Sequence, residues 1–138
     1  MSTRTQIADA ITTRLKAQVA SVSSRVFRWR KAALSESELP ALIWRDGKGD
    51  ISEDTIGMWR HDLGVTLCYA ASGSTTASAA TTALNEMAAA IMTDYTLGGL
   101  AESIEFVNSD LMVGQEGEIL GAAQIEIIIT YNSPRGTI

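Results

Sequence analysis

The stretch Ser74–Leu100, STTASAATTALNEMAAAIMTDYTLGGL, decides the fold that this sequence predicts. Its larger apolar residues recur at three- and four-residue steps, which is the spacing of one helix face: Leu84, Met87, Ala88, Ile91 and Tyr95. Alanine occupies much of the rest of that face, so the helix could lie close on a sheet. Gly98 and Gly99 can take the positive φ that ends a helix. The stretch therefore predicts one long helix packed across a sheet.

Strand-like segments lie on both sides of this helix. The clearest is Trp59–Ala70, where alternate residues form an apolar face: Trp59, His61, Leu63, Val65, Leu67 and Tyr69. Alternation or apolar runs predict four more strands, at Arg25–Lys31, Leu39–Arg45, Ile104–Val113 and Ile119–Tyr131. A shift of the apolar phase predicts a bulge at Asn108-Ser109 in the fourth strand.

The segments between these strands are predicted as turns and loops. Asp46–Met58 begins with DGKGD and is predicted as a loop, while Gly114–Glu118 is predicted as a hairpin connection. The tail Asn132–Ile138 is predicted to be extended or mobile.

A second helix is predicted at the start of the chain, over Thr3–Ser21. Thr3 and Gln6 have capping-box spacing, and an i, i+4 stripe follows at Ile7, Ile11, Leu15 and Val19. The predicted order is α-β-β-β-α-β-β. We therefore expect one α+β domain over residues 1–138, with two main helices on a mostly antiparallel or mixed sheet of about five strands.

Composition indicates a globular, soluble protein. The chain has 138 residues, of which 46% are hydrophobic, and this content argues against disorder. We see no signal-peptide pattern and no apolar run long enough for a membrane span, so no membrane partner is expected. The single cysteine, Cys68, excludes an intrachain disulfide.

The net charge of −5 is divided unequally along the chain. Residues 1–60 carry ten Lys/Arg and seven Asp/Glu, whereas residues 61–138 carry one Arg and nine Asp/Glu. The two halves could interleave in the fold and pair internally. Alternatively, a basic surface of one subunit could meet an acidic surface of the next, in a head-to-tail contact that closes into a ring.

Motifs for chemistry are not found. The acidic loop that begins at Asp46 fails the calcium-loop pattern, because Lys48, Ile51 and Gly57 stand where that pattern needs an acid or amide, a glycine and a glutamate. His61, the only histidine, is predicted to pack at the rim of the core. One Cys and one His do not make a zinc site, and LGGL lacks a phosphate-loop lysine. We expect no enzyme activity, no cofactor and no metal.

Aromatic residues leave two interpretations open. Arg25–Lys31 interleaves arginines with Phe27 and Trp29, a pattern that fits nucleic-acid binding or a half-buried edge strand with solvated arginines. Trp29, Trp44 and Trp59 each fall on a predicted strand. Core packing explains them, but one of them could face a partner, because tryptophan is enriched in interface hot spots.

Three motifs, taken in order, resemble the tail terminator proteins of long-tailed bacteriophages, the lambda-like minor tail protein family. They are Leu39-Pro40-Ala41-Leu42-Ile43, the helix-ending Asp94-Tyr95-Thr96-Leu97-Gly98-Gly99-Leu100, and a closing strand that runs from Gly121 to Tyr131. Length and element order agree with the family over nearly the whole chain. Related neck proteins share similar layouts.

The resemblance implies a structural virion protein without catalysis. In this family a ring, expected to contain six copies, caps the end of the tail tube, terminates its polymerisation and provides the surface for head–tail joining. The expected partners are the tail tube protein and the head–tail connector protein, with DNA passing through the pore without sequence-specific binding. The implied location is the head-proximal end of the virion tail, and the host cytoplasm during assembly. The alternatives are another connector, neck or tail-tube-like ring protein, or an unrelated oligomeric binding protein.

Two sets of candidate contact residues follow. For the subunit interface we expect basic residues on one side and acidic residues on the other: Arg28, Arg30 and Lys31 against Glu102, Glu105, Glu116 and Glu118. Reversing the charge of Arg28 and Arg30 should then weaken ring formation. For axial contacts with the tube or connector we expect residues of the 46–58 segment: Asp46, Lys48, Asp50, Glu53, Asp54 and Met58.

Overall fold

Two helices and five strands follow one another in the predicted order. The computed structural model describes residues 2–29, 36–72, 77–111 and 119–138. The elements are α1 (Thr3–Gln18), β1 (Val26–Arg28), β2 (Ala41–Glu53), β3 (Met58–Ser72), α2 (Ala77–Met92), β4 (Ser103–Leu111) and β5 (Ile119–Pro134). Short 3-10 turns lie at Ala20–Val22 and Glu36–Glu38. The predicted α+β class is confirmed.

The five strands form one mixed sheet in the order β1-β2-β3-β5-β4. β1 runs parallel to β2, and every other neighbouring pair is antiparallel. The strands from the start of the chain therefore lie at one end of the sheet, and β4 lies at the other. Within the described residues, β1 pairs only with β2 and β4 pairs only with β5.

The core lies between one face of the sheet and the two helices. From β3 and β5 it takes the predicted alternating faces, which include Leu63, Val65, Ile127 and Ile129. α2 adds small residues together with larger ones: Ala80, Ala83, Met87, Ala90 and Ile91. The central helix therefore packs closely on the sheet through its alanines, as predicted.

The end of α2 differs from the prediction. The helix ends at Met92 rather than at the glycines, so Tyr95, predicted on the apolar face, is 51% exposed. The Asp94 carboxylate accepts hydrogen bonds from the backbone N–H groups of Thr96 and Gly98. Gly98 and Gly99 do have positive φ, but they shape the turn that leads to β4.

The first helix confirms the predicted apolar stripe but not the predicted cap. Ser2 is the N-cap, and its hydroxyl accepts a hydrogen bond from the backbone N–H of Thr5. The expected capping box at Thr3 and Gln6 was therefore wrong by one position. The helix ends at Gln18, and a separate 3-10 turn follows.

The predicted 46–58 loop is mostly strand. β2 continues to Glu53 through a bulge, since Asp46 pairs with Val65 and the next pair is Gly49 with Leu63. The sequence DGKGD thus supplies a bulge instead of a turn. The strand beyond the bulge and the start of β3 form a hairpin, which we call the β2–β3 arm (Gly47–Arg60), with a connection of only four residues, 54–57.

Four other segments also differ from the prediction or lie outside the described residues. β1 is shorter than predicted, because Trp29 leaves the strand at a φ of +53°. β5 continues into the predicted tail as far as Pro134, and Ser133 is fully buried. The bulge in β4 falls between Phe106 and Asn108, next to its predicted place. The predicted hairpin connection at 114–118 lies outside the described residues.

Candidate subunit-contact surfaces

The Asp46 side chain anchors one end of the sheet. It is 3% exposed and lies at the β2 bulge, where it accepts hydrogen bonds from three residues. Arg4 donates from Nε at 2.9 Å, Arg28 donates from Nε at 2.9 Å and from Nη2 at 2.6 Å, and Trp29 donates from Nε1 at 2.8 Å. This carboxylate therefore joins α1, β1 and β2, and we call these four residues the Asp46 cluster.

The electrostatics of the Asp46 cluster follow from its geometry. Burial of the Asp46 carboxyl tends to raise its pKa, but the hydrogen bonds from Arg28, Arg4 and Trp29 outweigh burial. The pKa of Asp46 consequently lies well below its ordinary value, and the group stays ionised at neutral pH. Asp46 was predicted as an axial contact residue, but the structure places its carboxylate in the interior, occupied by internal partners.

Arg28 has a similar internal role. Its guanidinium pairs with Asp46 and lies 5.3 Å from the centroid of the Trp44 ring. Arg30 and Lys31, the other two predicted basic interface residues, lie outside the described residues. The Arg28 guanidinium is therefore not available for a basic contact surface at this end of the sheet.

Two exposed cationic side chains lie near Trp29 at the β1–β2 end of the sheet. Arg45 places its guanidinium carbon 6.0 Å from the centroid of the Trp29 ring, and Arg45 is exposed. Lys48, in the bulge, has a side chain that is 86% exposed. Trp29 itself is 49% exposed. We call Trp29, Arg45 and Lys48 the basic edge.

Among the residues that the structure describes, one side of the β2 backbone at the basic edge has no strand partner. β1 pairs with β2 only from Leu42 to Trp44. In the described part of the chain, the rest of β2 pairs with β3 alone. Such an edge offers N–H and C=O groups to another strand.

The opposite end of the sheet is acidic. The exposed carboxylates of Glu105 and Asp110 lie on β4, with that of Glu102 just before it. The sequence has no Lys or Arg between Arg60 and Arg135. Glu102 and Glu105 were predicted as interface residues, and the structure places both on this edge. Glu116 and Glu118 lie outside the described residues. We call Glu102, Glu105 and Asp110 the acidic edge.

A groove lies between α2 and β4 beside the acidic edge. Its cavity volume is about 310 Å³, and its lining includes Leu84, Ala88, Phe106, Val107 and Ile125. Phe106 and Val107 are 37% and 52% exposed. We call this cavity the α2–β4 groove. Sequence analysis missed it, because the phase shift at the bulge concealed which β4 residues face the helix.

The β2–β3 arm carries most of the predicted axial residues. Lys48, Asp50, Glu53 and Asp54 are exposed, and Met58 is partly buried. The arm is stabilised from the C-terminal segment, where the Arg135 backbone N–H donates to Gly57 O at 2.8 Å and its guanidinium pairs with Glu53 at 3.2 Å. The exposed charges of the arm are thus held on paired strands.

The histidine lies in a buried polar cluster. His61 is 2% exposed, stacks on Tyr131 with ring centroids 4.5 Å apart, and places Nε2 2.7 Å from Ser133 Oγ. Since the Ser133 hydroxyl donates to the Thr137 carbonyl, Nε2–H of His61 is the donor to Ser133 Oγ. That tautomer cannot accept the serine proton, so this Ser–His pair does not form an activated nucleophile. The prediction of a packed, hydrogen-bonded histidine is confirmed.

The surface opposite the helices is a shallow concavity of about 480 Å³, lined by Gly64, Thr66 and Ile128 among others. Among the described residues, no group of three metal-ligating side chains comes together. None of the helices in the described ranges has the length and hydropathy needed to cross a membrane.

The chain matches no known family model, and no curated protein matches it significantly.

Proposed function

We propose that this protein is a structural ring protein of a long-tailed bacteriophage, which caps the end of the tail tube. The observation that carries the proposal is the position of the charged side chains at the two ends of the sheet. The basic edge, beside a stretch of β2 that pairs with β3 alone in the described part of the chain, lies at one end of the sheet, and the acidic edge on β4 lies at the other. The family resemblance of the Leu39–Ile43, Asp94–Leu100 and Gly121–Tyr131 motifs supports the tail as the place of assembly.

Head-to-tail assembly is the arrangement that this charge placement favours. The two edges differ from each other, so a two-fold dimer would bring like edges together. A heterologous contact instead brings the basic edge of one subunit to the acidic edge of the next, and repetition of that contact gives a closed ring when the rotation allows it. A ring of six copies is the proposed assembly.

The axial surfaces of such a ring would include the β2–β3 arm. Its exposed Asp50, Glu53 and Asp54 lie on this hairpin, and Ile56 at its tip is fully exposed. Lys48, which was predicted as an axial residue, belongs to the basic edge instead. We propose that this arm contacts the tail tube protein or the head–tail connector protein. In the virion the ring would lie at the head-proximal end of the tail, after assembly in the host cytoplasm, with DNA passing through its pore.

Negative-stain electron microscopy of purified protein mixed with tail tubes tests the proposal. We expect six-fold rings, each seated at one end of a tube, and tubes that no longer elongate. Rings that bind connectors but leave tube ends free would favour the alternative of another neck protein. A protein that remains monomeric and ignores tubes would contradict the proposal.

Charge reversal tests the head-to-tail contact separately. Arg28 and Arg30 are unsuitable, since Arg28 belongs to the Asp46 cluster and Arg30 lies outside the described residues. We expect Arg45→Glu with Lys48→Glu to weaken ring formation, and Glu105→Lys with Asp110→Lys to do the same. In an equal mixture, alternation of the two variants brings opposite charges together at every contact, so mixing should restore ring formation. The absence of any salt or charge dependence would contradict the edge contact.

A further inference from the structure

The outer strand β4 is exposed along nearly its whole length. Only Ile104 of its nine residues is not exposed, and in the described part of the chain β4 pairs with β5 alone. Phe106, Val107 and Leu111 are 37%, 52% and 43% exposed. β4 contains no lysine and no proline, residues with which natural edge strands prevent pairing with other chains. The described structure therefore leaves room for a further strand beside β4.

The side of β4 that faces the helices is uncharged. Phe106 and Ser109 lie opposite Ile127 and Ile125 of β5, which are buried in the core. Both β4 residues line the α2–β4 groove, where five of the eight lining residues are apolar and the other three are uncharged polar residues. A strand laid beside β4 would direct every second side chain towards this groove.

The other side of β4 is acidic. By their register with β5, Glu105 and Asp110 lie on the sheet face away from the helices. Glu126 of β5 lies on the same face, and its carboxylate accepts a hydrogen bond from the Asn108 side chain at 2.9 Å. The remaining side chains of an added strand would lie beside Glu105 and Asp110, where basic residues are attracted and acidic residues are repelled.

These two faces define the segment that fits beside β4, in which apolar residues alternate with basic residues. Two four-residue stretches of this sequence have that alternation, Arg14–Ala17 and Phe27–Arg30. The first lies in α1. The second begins in β1, which pairs with β2, and its Arg28 is held by Asp46. Because both stretches have internal roles, the segment that fits belongs to a different protein.

We propose that β4 binds an extended segment of a partner protein by strand addition, and that apolar and basic residues alternate in this segment. Its apolar side chains enter the α2–β4 groove, and its basic side chains lie beside Glu105 and Asp110. The inference does not rest on the proposed ring, since a single subunit has both faces of β4. A bound segment would cover the acidic edge, so it would compete there with the basic edge of a neighbouring subunit.

A capped peptide of seven residues tests the proposal, with lysine at the odd positions and valine or isoleucine at the even positions. In NMR titrations of monomeric subunits, the largest shift changes should fall on residues 103–111 and on the groove, and amide exchange in β4 should slow. If the wild type assembles at these concentrations, the variant Arg45→Glu with Lys48→Glu supplies monomers in which β4 is unaltered.

Three further peptides separate strand addition from simple charge attraction. One has the same composition with its lysines clustered at the two ends, and another has glutamate in place of lysine. In the third, every internal amide is N-methylated, so the peptide has no internal backbone donors for β4. We expect none of the three to shift the β4 signals. Equal binding of the clustered or the N-methylated peptide would overturn strand addition.

Variants of β4 test its two faces separately. Glu105→Gln with Asp110→Asn should weaken binding of the alternating peptide about fivefold, through the loss of two cross-strand charge pairs. Phe106→Ser, in the groove, should also weaken it. Asp50→Asn with Asp54→Asn is the matched control, because it removes two exposed carboxylates from the β2–β3 arm and should bind like the wild type.

The results distinguish this inference from the proposed ring. An alternating peptide that leaves the β4 signals unchanged, or that is weakened equally by the control variant, would overturn strand addition even if rings form. A peptide that binds β4 without slowing ring formation would support strand addition and contradict the edge contact of the ring.

Discussion

The indole Nε1 of Trp29 donates a 2.8 Å hydrogen bond to Oδ1 of Asp46, which links an exposed ring to a buried carboxylate. The same carboxylate accepts from Arg4 and Arg28, so the orientation of the Trp29 ring depends on α1 as well as on β1. Folding of the helix layer and presentation of the basic edge are thereby coupled through Asp46.

Asp46→Asn should destabilise the subunit by about 2–3 kcal/mol. The variant leaves Arg4 and Arg28 without an anionic partner, and the loss is smaller than for a fully buried pair because these side chains are 28% and 36% exposed. Urea denaturation measures the free energy of unfolding. Asp50→Asn is the control, with a side chain 75% exposed and an expected effect within about 0.5 kcal/mol. Equal effects of the two variants would contradict this role of Asp46.

The stability contributed by Asp46 should disappear in acid. Its folded-state pKa is depressed below the ordinary value of 3.8, so its contribution is complete above that pH and is lost as the pH falls towards the folded pKa. The difference in unfolding free energy between the wild type and Asp46→Asn should therefore be constant from pH 7 to about pH 5 and shrink below about pH 4. Urea titrations at pH 7, 5 and 3 check this. A difference that is unchanged at pH 3 would mean that the pKa is not shifted.

His61 should titrate below its ordinary pKa of 6.5. Burial disfavours the imidazolium, and the nearby Arg4 charge lowers the pKa further. Because the unfolded chain binds the proton more readily, this group destabilises the fold as the pH falls below about 6.5. The chain has one histidine, so its ring signal in an NMR titration is unambiguous. Arg4→Ala should raise the measured pKa, and a wild-type value at or above 6.5 would contradict the buried placement.

Adjacent residues of α2 should differ sharply in their effect on stability. Ile91 is fully buried, so Ile91→Ala should cost about 2–5 kcal/mol through lost burial and a cavity. Met92 is 51% exposed, and Met92→Ala should stay within about 0.5 kcal/mol. Thermal or urea unfolding distinguishes them. A large effect of Met92→Ala would mean that the helix is rotated from the face described.

Truncation after Pro134 should loosen the β2–β3 arm. It removes the hydrogen bond from the Arg135 backbone N–H to Gly57 O, the ion pair with Glu53 and the Thr137 carbonyl that accepts from Ser133. We expect faster amide hydrogen exchange over residues 53–61. Arg135→Ala keeps the backbone bond and loses only an exposed ion pair, so its exchange should stay near the wild-type rate. Identical exchange in the truncated and full-length chains would show that the tail does not stabilise the arm.

The helices and strands with a regular apolar pattern were predictable, because buried residues recur in them at the period of a helix or a strand. The faces of β3 and β5, the stripe of α1 and the alanine face of α2 all follow the period of their element. The prediction for Tyr95 was wrong because α2 ends at Met92, six residues before Gly98, and the side chain of Asp94 then forms a turn with Thr96 and Gly98.

The candidate contact surfaces were less predictable, because they depend on irregular backbone. DGKGD was predicted as a turn, since glycine and aspartate favour turns. Its first carboxylate, that of Asp46, is instead buried and accepts hydrogen bonds from two arginines and the Trp29 indole. The positive φ of Trp29 has no sequence signal in a residue with a Cβ. From the charge split we expected Glu102 and Glu105 on the acidic side of a subunit contact, and both are exposed at β4, but the split could not separate paired Arg28 from exposed Arg45.

The strand order β1-β2-β3-β5-β4 places the exposed cations Arg45 and Lys48 at one end of the sheet and the carboxylates of Glu105 and Asp110 at the other, so these two groups of charge form an electric dipole in the plane of that sheet. Subunits joined head to tail in a line would add their dipoles, and each added copy would leave the same unbalanced ends. In a closed circle the in-plane dipoles cancel by symmetry. Closure would thus remove both the unpaired edges and the net in-plane moment in one step.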